Sequence, residues 1–92
     1  MKNTVKYRVE FQIKDSSLLK DGTRILGYEE VEFIKTNSKY TVDLVIRGIK
    51  QKAFDQFRNK LLHSSEFKKE LEAKGFQNPD CAKCCITKIV EI

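Results

Sequence analysis

The stretch from Thr4 to Asp15, TVKYRVEFQIKD, constrains the chain more than any other. Val5, Tyr7, Val9, Phe11 and Ile13 fall on one parity, and Lys6, Arg8, Glu10, Gln12 and Lys14 on the other. Such unbroken alternation marks a strand with one buried and one wet face. Later segments must cover the apolar face.

The 92 residues fit a single domain spanning 1–92, with no room for two cores. Regular apolar patterning and scarce Pro and Gly argue against disorder. No apolar run reaches the length of a bilayer span, so no membrane partner is expected. MKNTVKYRVE lacks the apolar centre of a secretory signal. Together with an odd, clustered set of cysteines (Cys81, Cys84 and Cys85), it points to a reducing, cytoplasmic setting.

Beyond the first strand, Asp21-Gly22 signals a tight turn. A hairpin closing there places Phe11 opposite Glu32, mixing faces. One extra residue places Ile13 opposite Val31 and Phe11 opposite Phe33. A bulge is therefore expected near Asp15–Ser17 or at Glu29-Glu30. Thr36–Lys39 reads as the next turn. Tyr40 to Ile49 alternates again, with Tyr40, Val42, Leu44 and Ile46 inward, and reads as a third strand. Val45 and Ile49 are apolar on its outward parity, which makes them candidates for a protein interface.

From Lys50 the period becomes helical through Ala53, Phe54, Phe57 and Leu61. Phe67 falls out of phase with these residues, and Ser64-Ser65 can cap a new helix between them. The spacing predicts helices over Lys50–His63 and Ser65–Lys74, or one bent helix, with Gly75 as C-terminal cap. Asp80 caps a short turn through Cys81–Lys83, and CCITKIVEI forms the last strand. Its apolar residues on both parities suggest an interior position.

The fold expected is α+β: a single four-stranded mixed sheet, β-β-β-α(α)-β, with a bent or broken helix pair packed on one face. The sheet order expected is 3-2-1-4, with the last strand parallel to the first; a bent helical pair could instead return it antiparallel.

No constellation in the sequence commits the chain to catalysis. Cys81-Ala-Lys-Cys84-Cys85 contains a C-x-x-C pair, a zinc or redox candidate with His63 as the only available imidazole. Adjacent Cys84 and Cys85 point to opposite faces of a strand, which disfavours one shared ion. Small buried side chains are the preferred reading. The carboxylates Glu29-Glu30-Glu32 and Glu66-Glu70-Glu72 match no metal motif. The glycines form no phosphate loop, so no cofactor is expected.

A net charge of +5 leaves two classes of binding function. The first is a small non-enzymatic protein that contacts another protein as inhibitor, adaptor or accessory subunit, with a homodimer among its interfaces. A composition rich in Lys, Asn and Ile suits an AT-rich genome, and a phage-encoded inhibitor of a host system belongs to this class. The second is a nucleic-acid-binding module using Lys6, Arg8, Lys14, Arg47, Lys52 and Lys60 on phosphates. Base stacking on the sheet is not expected, because Tyr7, Phe11, Phe33 and Tyr40 share the core parity.

Overall fold

The computed structural model describes residues 4–14, 18–34 and 42–92. The alternating run forms β1, Thr4–Ile13. It lies in the middle of a three-stranded sheet, between β2 (Ile25–Ile34) and β3 (Cys84–Glu91), in the order β2-β1-β3. Both pairings are antiparallel. Helices α1 (Val42–His63) and α2 (Ser65–Ala73) cover the face that carries Tyr7, Val9, Phe11 and Ile13, and all four of these side chains are buried. The class is α+β. Among the described residues, no helix is long and apolar enough to cross a membrane.

The four-stranded sheet is corrected to three strands among the described residues. From Val42 onward, the segment assigned to a third strand is the start of α1; Thr36–Lys39 and Tyr40 lie outside the described residues. Val45, Ile49, Ala53 and Phe57 recur every four residues, so one helical stripe runs from the misread segment into the recognised helix. A strand would leave Val45 and Ile49 in water. The helix puts Ile49 in the core at 1% exposure and half-buries Val45, while Leu44 and Ile46 are exposed. Extending an existing helix also adds backbone hydrogen bonds without a new nucleation step. Gly48 is disfavoured inside a helix, but it lets β2 come close. A Cβ there would stand 2.8 Å from Cε2 of Phe33.

The last strand is antiparallel to β1, not parallel, and forms a sheet edge, not an interior strand. Its apolar residues on both parities come from a register shift between Glu10 and Phe11 that leaves Thr87 without a partner. Ile86 pairs with Phe11 and Ile89 with Val9, so both take the core side. Val90 pairs with Arg8 on the open side.

The first connection also differs from expectation. Tyr7 pairs with Val31 and Val5 with Phe33. The irregularity falls between Phe11 and Gln12, where Gly27 and Ile25 are the partners and Leu26 is extra. It is not at Glu29-Glu30, and Asp15–Ser17 lie outside the described residues. The Asp21-Gly22 turn is local, with Leu19 N–H bonded to the Thr23 carbonyl at 2.7 Å. Leu19 is buried, and Lys20 N–H reaches the Lys74 carbonyl at 2.9 Å. The segment is thus a packed loop docked on the end of α2, which shifts the register away from a tight hairpin.

The helix ends follow their sequence signals. Ser64 Oγ accepts from Phe67 N–H at 3.3 Å. Gly75, at φ 106°, closes α2 by donating to the Glu72 carbonyl, while Phe76 N–H bonds to the Leu71 carbonyl. Asp80 Oδ1 accepts from Ala82 N–H at 3.0 Å and caps the 3-10 turn Cys81–Lys83.

The helical assignment of 42–49 predicts opposite responses at two isoleucines. Ile49→Ala should cost about 2–5 kcal/mol by emptying a core site. Ile46→Ala should stay within about 0.5 kcal/mol. Urea unfolding of both variants checks this, and a strand over this segment would reverse the order.

Candidate functional site

The helices leave one sheet face open. Antiparallel partners share a face, so the pairings place Lys6 with Glu32, Arg8 with Glu30 and Val90, and Glu10 with Tyr28 and Lys88 on the uncovered side. Ile92 continues β3 there, with its N–H on the Lys6 carbonyl at 2.9 Å. Tyr28 is 52% exposed, Val90 44% and Ile92 59%. With Arg8, Glu10 and Lys88 they line a shallow groove of about 450 Å³.

Arg8 is the centre of this face. Its guanidinium lies 6.0 Å from the Tyr28 ring centroid and 3.6 Å from Glu30 Oε1. Glu10 accepts from Gln12 Nε2 at 2.8 Å and from Thr87 Oγ1 at 2.9 Å. Those two bonds, Gln12's first, hold its carboxyl below the usual carboxylate range. Glu10 therefore stays ionised at neutral pH, and its contact with Thr87 spans the register shift.

The edge of β2 is closed by side chains from the helices. Lys52 Nζ donates to the Glu32 carbonyl at 2.6 Å, Gln56 Nε2 to the Glu30 carbonyl at 3.1 Å, and Lys74 Nζ to the Leu26 carbonyl at 3.0 Å. Beside them, Glu29 is buried at 3% exposure on the core side of β2. Its carboxylate accepts from Lys60 Nζ at 2.8 Å and from Gln56 Nε2 at 3.2 Å. Lys60 also lies 5.4 Å from the Phe67 ring centroid.

The six cations proposed for phosphate contact do not converge. Lys6 and Arg8 lie on the open face, where they pair with Glu32 at 3.8 Å and Glu30 at 3.6 Å. Lys52 and Lys60 belong to the closed edge. Arg47 lies on the exposed side of α1, and Lys14 follows the far end of β1. Nor do Val45 and Ile49 form a surface: Ile49 is core and Val45 packs against it.

The cysteines divide as their positions on the strand dictate. Cys84 pairs with Ile13 on the core side, and Cys85 with Gln12 on the open side. Cys84 is buried, with Sγ 3.3 Å from the Asp80 carbonyl. Burial first, then the neighbouring Cys81 and Cys85, push its thiol up to about 12. Burial also raises Cys81. Raised thiols are poor nucleophiles and poor metal ligands. No group of three or more His, Cys, Asp or Glu among the described residues is arranged to hold a metal ion. His63 is exposed at the end of α1.

The residues that the sequence reading missed are Tyr28, Val90 and Ile92. The parity of Tyr28 pointed away from Val31 and Phe33, which was the available signal. Val90 and Ile92 were hidden by the register shift. No family model, curated protein or solved structure matches the chain.

Two outcomes follow from these contacts. Lys60→Met should cost about 1–2 kcal/mol, because a buried carboxylate loses one partner while the lysine itself is half exposed. Adding Glu29→Gln should recover part of that loss in a double-mutant cycle of urea unfolding. In timed thiol labelling of the native protein near pH 8, Cys84 should react last. Its folded thiol ionises at higher pH than an unfolded one, so the fold should lose stability as pH rises from the ordinary thiol value toward about 12. Cys84→Ala should flatten that limb of the pH–stability curve.

Proposed function

We propose that the protein is a small non-enzymatic binding protein, and that the open face of its sheet contacts another protein. The observation that carries this reading is the grouping of exposed Tyr28, Val90 and Ile92 around Arg8. An antiparallel sheet with one solvated face ordinarily places polar residues there, and a grouped apolar patch rimmed by charge marks an interaction surface. Tyr and Arg are the residue types that dominate binding hot spots. Both stand on adjoining strands, with the Arg8 guanidinium over the Tyr28 ring, and contacts made before docking lower the entropy lost when a partner binds.

The acids support a protein partner over a nucleic acid. Glu10, Glu30 and Glu32 lie among Lys6, Arg8 and Lys88 on this face, so a phosphate backbone would meet repulsion as well as attraction. An inhibitor, an adaptor and an accessory subunit, phage-encoded or not, would all use such a surface. The test is affinity capture from nuclease-treated extract of the native host. A partner should be retained at high salt, where contacts between exposed charges are screened. Tyr28→Ala should weaken its binding by about 2 kcal/mol, and Val90→Asp should abolish it, with both variants remaining folded by circular dichroism. Retention that disappears with nuclease or salt would replace this reading with phosphate binding.

A further inference from the structure

Two of the three free thiols stand at the ends of one closed turn. Cys81 opens the 3-10 turn Cys81–Lys83, and Cys84 follows as its C-cap, with its N–H bonded to the Cys81 carbonyl. A hydrogen-bonded turn of four residues keeps its first and last Cα atoms within about 7 Å, which is the reach of a disulfide. Side chains three residues apart in a 3-10 turn also eclipse one another. Cys84 lies on the core side of β3, and Cys81 packs against the same apolar cluster. Cys85 is set apart from both, because it pairs with Gln12 and takes the open side of the sheet. A bridge between Cys84 and Cys85 would join Cα atoms about 3.8 Å apart, closer than the ~4.4 Å at which relaxed disulfides begin. Geometry therefore favours one pairing of the three.

We propose that Cys81 and Cys84 are a redox pair, joined reversibly into an intramolecular disulfide by exchange with a small disulfide such as oxidised glutathione. Cys81 is the thiol that reacts first, since it is half-buried while Cys84 is buried. Burial raises the Cys81 thiol, and the Arg58 guanidinium opposes that rise. The Cys81 thiolate attacks one sulfur of the oxidant, whose S–S bond breaks and releases one thiolate. Cys84, its proton lost to water, then displaces the second glutathione from Cys81. Each protein sulfur is oxidised by one electron, and the oxidant leaves as two thiols that take up the two protons. Raised thiols slow this exchange. They also leave the reduced form without the thiolate stabilisation that makes a dithiol resist oxidation. In a reducing compartment such a bridge is made and broken in turn, as a redox sensor requires. The pair lies on the core side of β3, away from the groove about Arg8, so this inference does not depend on the proposed protein partner.

The experiment treats the native protein with oxidised glutathione at mildly alkaline pH, blocks the remaining thiols, and digests with trypsin in the absence of reductant. Lys83 lies between the two cysteines, so cleavage after it separates the peptides 75–83 and 84–88 unless a disulfide holds them together. Mass spectrometry of the monomer should find them joined, with the blocking group on Cys85, and reduced glutathione should part them again. Cys85→Ser should leave the joined product unchanged. Cys84→Ala should lose it altogether and accumulate glutathione on Cys81. Should a variant fail to fold, fragmentation of the wild-type product decides, by locating the blocked thiol. Glutathione that stays on Cys81 of the wild type without displacement by Cys84 would overturn the inference. So would joined peptides that persist in Cys84→Ala or vanish in Cys85→Ser, or a bridge that forms only between two chains or only in urea.

Discussion

Phe11 is the contact on which the layers depend. It is fully buried on the central strand, and its ring stacks on Phe57 of α1 with centroids 4.6 Å apart. Phe54 meets it edge-on at 5.3 Å, and Phe57 in turn meets Phe67 of α2 edge-on at 5.3 Å. One connected set of rings therefore joins β1 to both helices. Offset and edge-on aromatic pairs add about 0.5–1.5 kcal/mol each beyond the area they bury. The geometry is also directional, so it fixes where along the sheet the helices rest. Once α1 is seated there, Lys52, Gln56 and Lys60 arrive along β2, and Lys74 follows at the end of α2.

That seating explains what happens to the positive charge. A buried carboxylate at Glu29 requires a cation, and Lys60 supplies it across the helix–sheet boundary. The open carbonyls of β2 require donors, and lysine reaches them without burying its charge. Lysines that look like a binding face in a list of charges are instead spent on the fold. Among the described residues, Lys6 and Arg8 lie on the open face, Lys52 and Lys60 on the closed edge and Arg47 on the outer side of α1, so these cations form no single basic stripe.

The parts of this architecture legible in the sequence were those where one period ran unbroken or a cap had a specific chemistry. β1 alternates without interruption, and Ser64, Gly75 and Asp80 each act through local hydrogen bonds that depend little on tertiary context. What misled were segments in which two periods coincide. In Val42–Ile49, Leu44 and Ile46 fit a strand while Val45 and Ile49 fit the helical stripe, and only packing against the core, with Gly48 close to Phe33, decides between them. The Asp21-Gly22 turn was real, yet Leu19 and Lys20 anchor it to α2, so it could not set the hairpin register. In β3 the shift at Thr87 exchanged faces midway, and a reading by parity could not see Val90 and Ile92 on the same side as Tyr28.

These misreadings bear directly on the candidate site. A register shift lets one short strand contribute Ile86 and Ile89 to the core and still present Val90 and Ile92 to solvent, which a regular strand of the same sequence would not do. Glu10, tied to Thr87 across that shift, holds the arrangement by a polar contact on the open face itself. The groove therefore rests on a register shift within the strand, and its apolar residues lie beside Arg8 because the ladder is shifted there. The proposed interaction surface is thus carried on the backbone of three hydrogen-bonded strands. On it Arg8 lies over the Tyr28 ring and beside Glu30, so charge and aromatic surface meet on adjoining strands because the ladder sets them opposite one another.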